Sequence, residues 1–214
     1  MRPVVGILIL CSLGGCVPLG QERVRDFNED GVHLFQAGEY KSAQECFQTA
    51  LEFKPADPIL LYNLGQCCDR MDDVANAERY YNECLQVAPN HADCRHALAS
   101  LWVRAGRKEE ATRMVEGWLA REPKLAAAYA EDGWLWHQSG DLPRAQARLH
   151  QALDLDPHDT RTLVELARVY EAMQRPDRAV ALYERVILLH PREVEVEKRL
   201  KLLRSQGVGE PHPD

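Results

Sequence analysis

The sequence predicts an all-α protein whose helices pair into hairpins that stack one after another as an α-solenoid. Three observations support this prediction: a proline that recurs at a fixed interval, two columns of small residues, and a turn residue in the middle of every repeat. The prolines lie 34 residues apart, at Pro55, Pro89, Pro123, Pro157 and Pro191. A period of this length is typical of repeat proteins in which each unit is one helix hairpin.

Two columns of small residues indicate where the helices of each hairpin cross. With every proline at position 32, the repeats begin at Val24, Pro58, Ala92, Ala126 and Thr160. Position 8 is then occupied by Gly31, Gly65, Ala99, Gly133 and Ala167. Position 20 is alanine throughout, at Ala43, Ala77, Ala111, Ala145 and Ala179. Small side chains allow two helix axes to approach closely, so these columns predict the contact between the first helix (helix A) and the second (helix B).

Turn residues separate helix A from helix B in all five repeats. Position 15 is occupied by Gly38, Asp72, Gly106, Gly140 and Gln174. Pro143 and Pro176 then fall at or near the first turn of helix B, where the missing amide donor costs little. After the last repeat, Leu200, Leu202 and Leu203 stand among charged residues and predict a capping helix over residues 194–205 that covers the last apolar face. Residues 206–214, rich in Gly and Pro, are predicted to be disordered.

These concordant repeats resemble the tetratricopeptide repeat (TPR) family over residues 24–193. The resemblance implies a right-handed α-solenoid of five TPR hairpins, and it implies protein binding rather than catalysis. The five predicted repeats are 24–57, 58–91, 92–125, 126–159 and 160–193. In such proteins the A helices line a concave groove, which is the surface that solenoids use for binding.

The resemblance to peptide-binding TPR domains also implies which residues face this groove. They are polar residues with scattered aromatics on the A helices: Asn28, Phe35, Tyr62, Asn63, Gln66, Arg70, His96, Ser100, Arg104, Trp134, His137, Arg161 and Arg168. Trp134 and Trp136 lie about 200° apart around their helix, so Trp136 is assigned to the core and Trp134 to the groove. Alternatively, Trp134 only packs on neighbouring A helices. Of the family's dicarboxylate clamp for chaperone C-termini only Asn63 is present, which disfavours a cytosolic chaperone ligand.

The N-terminus has the layout of an export signal. Arg2 precedes an apolar run over residues 4–10, which is too short to span a bilayer. The segment Leu13-Gly14-Gly15-Cys16 resembles the lipobox of bacterial lipoproteins. That resemblance implies removal of residues 1–15, a lipid on Cys16, a tether over residues 16–23, and a lipid-anchored protein of the bacterial cell envelope that faces the periplasm. A plain secretory signal with an incidental cysteine is the alternative.

Charge and motifs restrict the function. The chain has 33 acidic and 26 basic residues, and loss of Arg2 with the signal would lower its net charge from −7 to −8. Nucleic-acid binding is disfavoured because it relies on clustered Lys and Arg. No nucleophile elbow, phosphate-binding loop or His-Glu-x-x-His motif occurs. We therefore expect no enzyme and no cofactor, but a membrane-anchored scaffold that binds a partner peptide or protein of the envelope, for example during complex assembly.

The cysteines suggest a second hypothesis, a metal- or redox-active envelope protein. Five follow Cys16, at Cys46, Cys67, Cys68, Cys84 and Cys94, and export permits disulfides. The TPR resemblance would place Cys67 near Cys94, close enough for a bridge, and Cys68 and Cys84 are interpreted as small buried hydrophobes. Cys84, His91, Cys94 and His96 are residue types that zinc prefers, but their spacing matches no known pattern, and no metal site is predicted.

Four residues depart from the repeat pattern. Trp118 stands where a small residue is usual and Val115 where an aromatic is usual, one helical turn apart, which we interpret as a volume swap that keeps the core filled. Arg95 and Asp132 occupy columns that hold leucine elsewhere. We expect both to be partly exposed rather than a buried ion pair. Asp30 departs in the same way and is expected to be exposed.

Overall fold

A computed structural model describes residues 19–208 as α-helices joined by short turns, and no β-strand occurs among these residues. The eleven helices are α1 (Leu19–Gln36), α2 (Tyr40–Phe53), α3 (Pro58–Arg70), α4 (Val74–Val87), α5 (Ala92–Arg104), α6 (Lys108–Arg121), α7 (Ala126–Gln138), α8 (Leu142–Leu155), α9 (Thr160–Ala172), α10 (Pro176–Leu189) and α11 (Val194–Ser205). The predicted all-α class is confirmed. Odd-numbered helices α1 to α9 are the A helices, and the even-numbered ones are the B helices.

The helices form two compact units, one up to Pro89 and the other from Asn90. In the N-terminal unit, the hairpins α1–α2 and α3–α4 pack through α2 and α3. In the C-terminal unit, three hairpins follow in sequence order, each B helix contacting the next A helix, and α11 packs on α10. Val196, Leu200 and Leu203 of α11 are buried against the core of this unit. The hairpins of each unit therefore stack as in an α-solenoid.

The columns of small residues lie at the helix crossings, as predicted. A Cβ atom on Gly31 would be 2.6 Å from Cε1 of Phe47, and one on Gly133 would be 2.7 Å from Cγ of Leu149. All five alanines of position 20 are completely buried. A larger side chain at these glycines would push the B helix away from the A helix.

Every A helix is followed by one residue in the left-handed backbone region. The φ angles at position 15 are 84° at Gly38, 61° at Asp72, 74° at Gly106, 76° at Gly140 and 58° at Gln174. The conformation is costly for residues with a Cβ atom, which explains why three of the five are glycine. The same left-handed turn therefore forms at position 15 even where the residue is Asp or Gln.

Both ends of the solenoid differ from expectation. Helix α1 begins at Leu19, so residues 19–23 of the predicted tether are helical. Residues 206–208 form a turn after α11, in which the Val208 amide donates to the Leu203 carbonyl at 3.2 Å. The predicted disorder is therefore wrong for these three residues. The predicted signal segment, Cys16 and residues 209–214 lie outside the described residues. Among the helices of residues 19–208, none is long and apolar enough to cross a membrane.

Arg95 and Asp132 are buried, which corrects the expectation of partial exposure. Arg95 is 4% exposed, and its guanidinium lies 4.4 Å from the centre of the Trp118 ring. Asp132 is 8% exposed, and its Oδ2 atom forms an ion pair with Nε of Arg148 at 2.7 Å. Burial raises the pKa of Asp132, and the positive charge of Arg148 offsets this only in part. Within the C-terminal unit, Arg95 thus lies against an aromatic face and Asp132 pairs with an arginine. Asp30 is exposed, as expected.

The volume swap of repeat 3 fills the core. Trp118 and Val115 are both fully buried, and Nε1 of the Trp118 indole donates to Oδ1 of Asn90 at 3.1 Å. A buried indole needs such a partner for its N–H group.

Candidate binding groove

A cavity of about 660 Å³ opens on the A helices of the C-terminal unit, between α5, α7 and α9. Helix α7 contacts both α5 and α9, so the three form a continuous surface. Four predicted groove residues line the cavity: His96, Trp134, Arg161 and Arg168. Small and apolar side chains lie between them, namely Ala126, Ala127, Ala130 and Val164. We call this cavity the groove.

A buried carboxylate joins the three helices on one side of the groove. Glu131 of α7 is 4% exposed. Its Oε2 atom lies 3.1 Å from Nδ1 of His96 on α5 and 3.6 Å from a guanidinium nitrogen of Arg161 on α9. Arg161 also pairs with Oδ1 of Asp93 on α5 at 3.3 Å. The buried charge of Glu131 is thereby compensated, as burial requires.

Glu165 of α9 plays a similar part between α7 and α9. It is 8% exposed, and its Oε1 atom lies 2.7 Å from Nδ1 of His137 on α7. Its other oxygen pairs with Arg168, one turn along α9, at 3.3 Å. Arg168 and His137 are both predicted groove residues. Arg168 lines the cavity, whereas His137 does not line it and contacts Glu165 instead.

Sequence reasoning missed Glu131 and Glu165. Both occupy position 6 of their repeats, which is one of the groove-facing positions, so the register alone could have indicated them. Their burial is invisible in the sequence because it depends on histidine and arginine side chains of neighbouring helices.

Trp134 serves both the groove and the core. One part of its ring lines the cavity, and His96 meets it edge-on with ring centres 4.7 Å apart. The rest packs against the cluster of Ala99, Val115 and Leu135. Trp136 faces the other way, against the cluster that includes Leu149 and Leu163. The two tryptophans therefore point to different surroundings.

Ser100 and Arg104 of α5 do not line the cavity. Nη1 of Arg104 donates to Oγ of Ser100 at 3.0 Å. These two predicted groove residues thus contact each other one helical turn apart, away from the pocket.

In the N-terminal unit, the predicted groove residues contact one another on α1 and α3. Nδ2 of Asn63 donates to Oδ1 of Asn28 at 3.2 Å, and Nε2 of Gln66 donates to the Tyr62 hydroxyl at 2.6 Å. Arg70 donates to the hydroxyl of Tyr40 at 2.6 Å, and its guanidinium lies 5.6 Å from the centre of the Phe35 ring. The polar side chains on this surface therefore hydrogen-bond to one another within the unit.

Family models agree with this architecture. A model described as "Tetratricopeptide repeat" matches residues 70–131 and 137–201, and one described as "TPR repeat" matches residues 31–67. The chain belongs to the tetratricopeptide repeat family. TPR proteins bind protein or peptide partners and are generally not enzymes, so the chain is a protein-interaction module of the TPR class.

Relatives and solved TPR structures share the fold at low identity. The chain is 26% identical over 178 residues to cellulose synthase operon protein C of Xanthomonas axonopodis pv. citri, and 27% identical over 179 residues to that of Pseudomonas fluorescens. These matches cover 79% and 80% of this chain, which spans only 12% and 14% of those proteins. A thermophilic TPR protein from Thermus thermophilus superposes with a TM-score of 0.68 at 24% identity, over 85% of this chain and 99% of the other. Yeast Tom70 superposes with a TM-score of 0.64 at 17% identity, over 88% of this chain and 41% of that one.

The cysteines of this TPR chain differ from two expectations. Cys67 is a free thiol, so the Cys67–Cys94 bridge that the sequence left open is not formed. Cys84 and Cys94 are disulfide-bonded, which corrects the interpretation of Cys84 as a buried thiol. Cys46 and Cys68 are free.

The free thiols of α3 are poorly suited to redox or metal chemistry. Burial raises the pKa of the Cys67 thiol to about 12, and burial also raises that of Cys68. Because the thiolate is the nucleophile and the metal ligand, thiols held neutral in this way are inert at neutral pH. This disfavours a metal or redox function for these two residues.

Proposed function

We propose that this protein is a lipid-anchored TPR scaffold of the bacterial cell envelope, and that the groove of α5, α7 and α9 binds a segment of a partner protein. The observation that supports this most is the groove itself. A cavity of about 660 Å³ is large enough for several side chains of a peptide. Its small apolar residues allow a close approach of the partner backbone.

Trp134 would serve as the anchor of this interaction. It is half-buried, it is fixed on one side by the core, and it offers the other side to the cavity. Rigid, partly exposed aromatic residues contribute a large share of binding energy at interfaces, because they bury area while losing little conformational entropy.

The ion pairs behind the cavity prepare the surface for binding. Glu131 and Glu165 are each held by a histidine and an arginine before any partner arrives. A partner therefore would not have to pair buried charges or order these side chains, and the cost of association is lower for such a preorganised site.

Lipidation at Cys16 would hold the N-terminal unit close to the membrane. Since α1 begins at Leu19, two residues separate Cys16 from the first helix. A chain segment of this length spans roughly 10 Å at most. The first repeat would then lie at the bilayer surface, and the scaffold would recruit partners to that surface.

Crosslinking in cells followed by affinity capture tests the groove. We expect Trp134→Ala to lose the envelope proteins that the wild-type chain captures. Trp102→Ala is the matched control, since Trp102 packs against the same cluster but does not line the groove. If both variants capture the same proteins as the wild type, the groove is not the binding surface.

Fractionation of the same cells tests the anchor separately. We expect the wild-type protein in the membrane fraction, with acyl chains on the N-terminal cysteine of the mature form, and Cys16→Ser in the soluble fraction. Membrane association of Cys16→Ser equal to wild type would contradict lipid anchoring without affecting the groove.

A further inference from the structure

The groove is lined by more negative than positive charges. Its residues include two arginines, Arg161 and Arg168, and six carboxylates. The carboxylates are Asp93, Glu131, Asp156, Asp159, Glu165 and Glu193. With histidine neutral, the lining has four more negative than positive groups.

The two arginines and the histidine of the groove already have carboxylate partners. Arg161 pairs with Asp93 and Glu131, Arg168 pairs with Glu165, and His96 contacts Glu131. These pairs account for three of the six carboxylates. The two guanidinium groups are therefore poorly placed to attract an acidic partner, because such a partner would have to compete with a carboxylate that is already in contact.

The remaining three carboxylates line the groove from the turns before α9 and α11, and we call these three residues the rim. Asp156 precedes α9, Asp159 caps it, and Glu193 precedes α11. No ion pair joins any of them to another residue within the described chain. Asp159 accepts from the Thr162 amide at 3.1 Å, so the partial positive charge of the helix end offsets its charge. Oδ1 of Asp156 also accepts from an amide, that of His158 at 3.1 Å, but Asp156 and Glu193 are both exposed and can meet a cation of a partner.

We propose that the partner segment is a basic, apolar peptide: an apolar side chain rests against Trp134, and a Lys or Arg of the partner meets Asp156 and Glu193. This inference rests on the proposed function of the groove. Opposite charge at the rim steers encounter and excludes acidic segments. The apolar contact with Trp134 supplies affinity that does not depend on charge.

Selection from an unbiased library of random 12-residue peptides tests this proposal. The purified full-length chain is immobilised in detergent, and Trp134→Ala is selected in parallel. We expect the enriched peptides to combine net positive charge with an aromatic or aliphatic residue, and we expect Trp134→Ala to abolish the enrichment. Enriched peptides that are acidic, or no more basic than the starting library, would overturn the proposed charge while supporting the groove. Enrichment that is equal on Trp134→Ala, or none at all, would overturn the groove and this inference with it.

Titration of one enriched peptide, labelled with fluorescein, then measures how much Asp156 and Glu193 contribute to its affinity. At low salt each exposed ion pair contributes about two- to five-fold in affinity, so we expect Asp156→Asn with Glu193→Gln to weaken binding about four- to twenty-five-fold. Asp177→Asn with Glu195→Gln is the matched control, because both residues lie outside the groove and this pair removes the same charge. The proposal is wrong if the rim variant binds as tightly as this control.

Discussion

At the scale of single residues, Trp118 shows how one side chain compensates for several departures from the repeat pattern. It fills the space left by Val115, its indole donates to Asn90, and its ring covers the buried guanidinium of Arg95. A cation over the face of an indole is attracted to it, and the attraction grows when water is excluded. A tryptophan that helps the arginine to stay buried therefore lies more than twenty residues later in the chain.

Trp118→Ala should lower the free energy of unfolding by about 3–5 kcal/mol, because it creates a large cavity and removes the ring from Arg95. Denaturation by urea, followed by circular dichroism at 222 nm, measures the change. Trp134→Ala is the control, and it should cost about 1–2 kcal/mol because part of this ring is already in water. Similar losses for both variants, or no loss for Trp118→Ala, would contradict the role of Trp118 in the core.

At the scale of helices, Glu171 joins the last repeat to the capping helix. This carboxylate of α9 accepts from the Tyr183 hydroxyl of α10 at 2.7 Å and from Nε of Arg199 of α11 at 3.1 Å. Burial by itself would raise the pKa of Glu171, but the hydrogen bonds from Arg199 and Tyr183 outweigh it and lower the pKa. The ionised form is therefore the one that stabilises the packing of α11.

Glu171→Gln should reduce the dependence of stability on pH in acid. Because the pKa of Glu171 is lower in the folded state, its contribution is present above the unfolded pKa of about 4.3 and is lost as pH falls through the folded value. The stability difference between wild type and Glu171→Gln should therefore be largest near neutral pH and shrink below about pH 4.3. Urea midpoints measured from pH 7 to pH 3 determine this difference.

Glu195→Gln provides the comparison. Glu195 pairs with Lys198 on the exposed side of α11, so its removal should change the midpoint little at any pH. A Glu171→Gln curve parallel to wild type over the whole range would show that the carboxylate charge is not what stabilises α11.

At the scale of the whole molecule, the oxidation state of the cysteines distinguishes the scaffold hypothesis from the hypothesis of a redox-active protein. Cys46, Cys67 and Cys68 are free, whereas Cys84 and Cys94 are disulfide-bonded. The free thiols of α3 are buried in the core, where their neutral forms pack like small hydrophobic residues. Burial therefore explains the thiols of α3 as packing residues.

Thiol titration of the unfolded mature protein with a chromogenic disulfide should give three thiols per chain before reduction and five after it. In the native protein, Cys67 and Cys68 should react much more slowly than in the unfolded protein, since burial holds them in the thiol form. Five thiols without reductant, or rapid reaction of Cys67 in the native state, would contradict this account and favour redox chemistry.

The sequence by itself determined the number of hairpins, their order, the helix crossings and the left-handed turn of each repeat. These features are local: the 34-residue period places Gly31 and Gly133 at crossings, and the same backbone turn recurs at Gly38 and Gln174. Only the tertiary structure decided that α1 begins at Leu19, that Arg95 and Asp132 are buried, and that Glu131 and Glu165 hold the groove together. These outcomes depend on which side chains of neighbouring helices meet in space. A repeat pattern sets the helical register, but the partner of a buried charge is found on another helix.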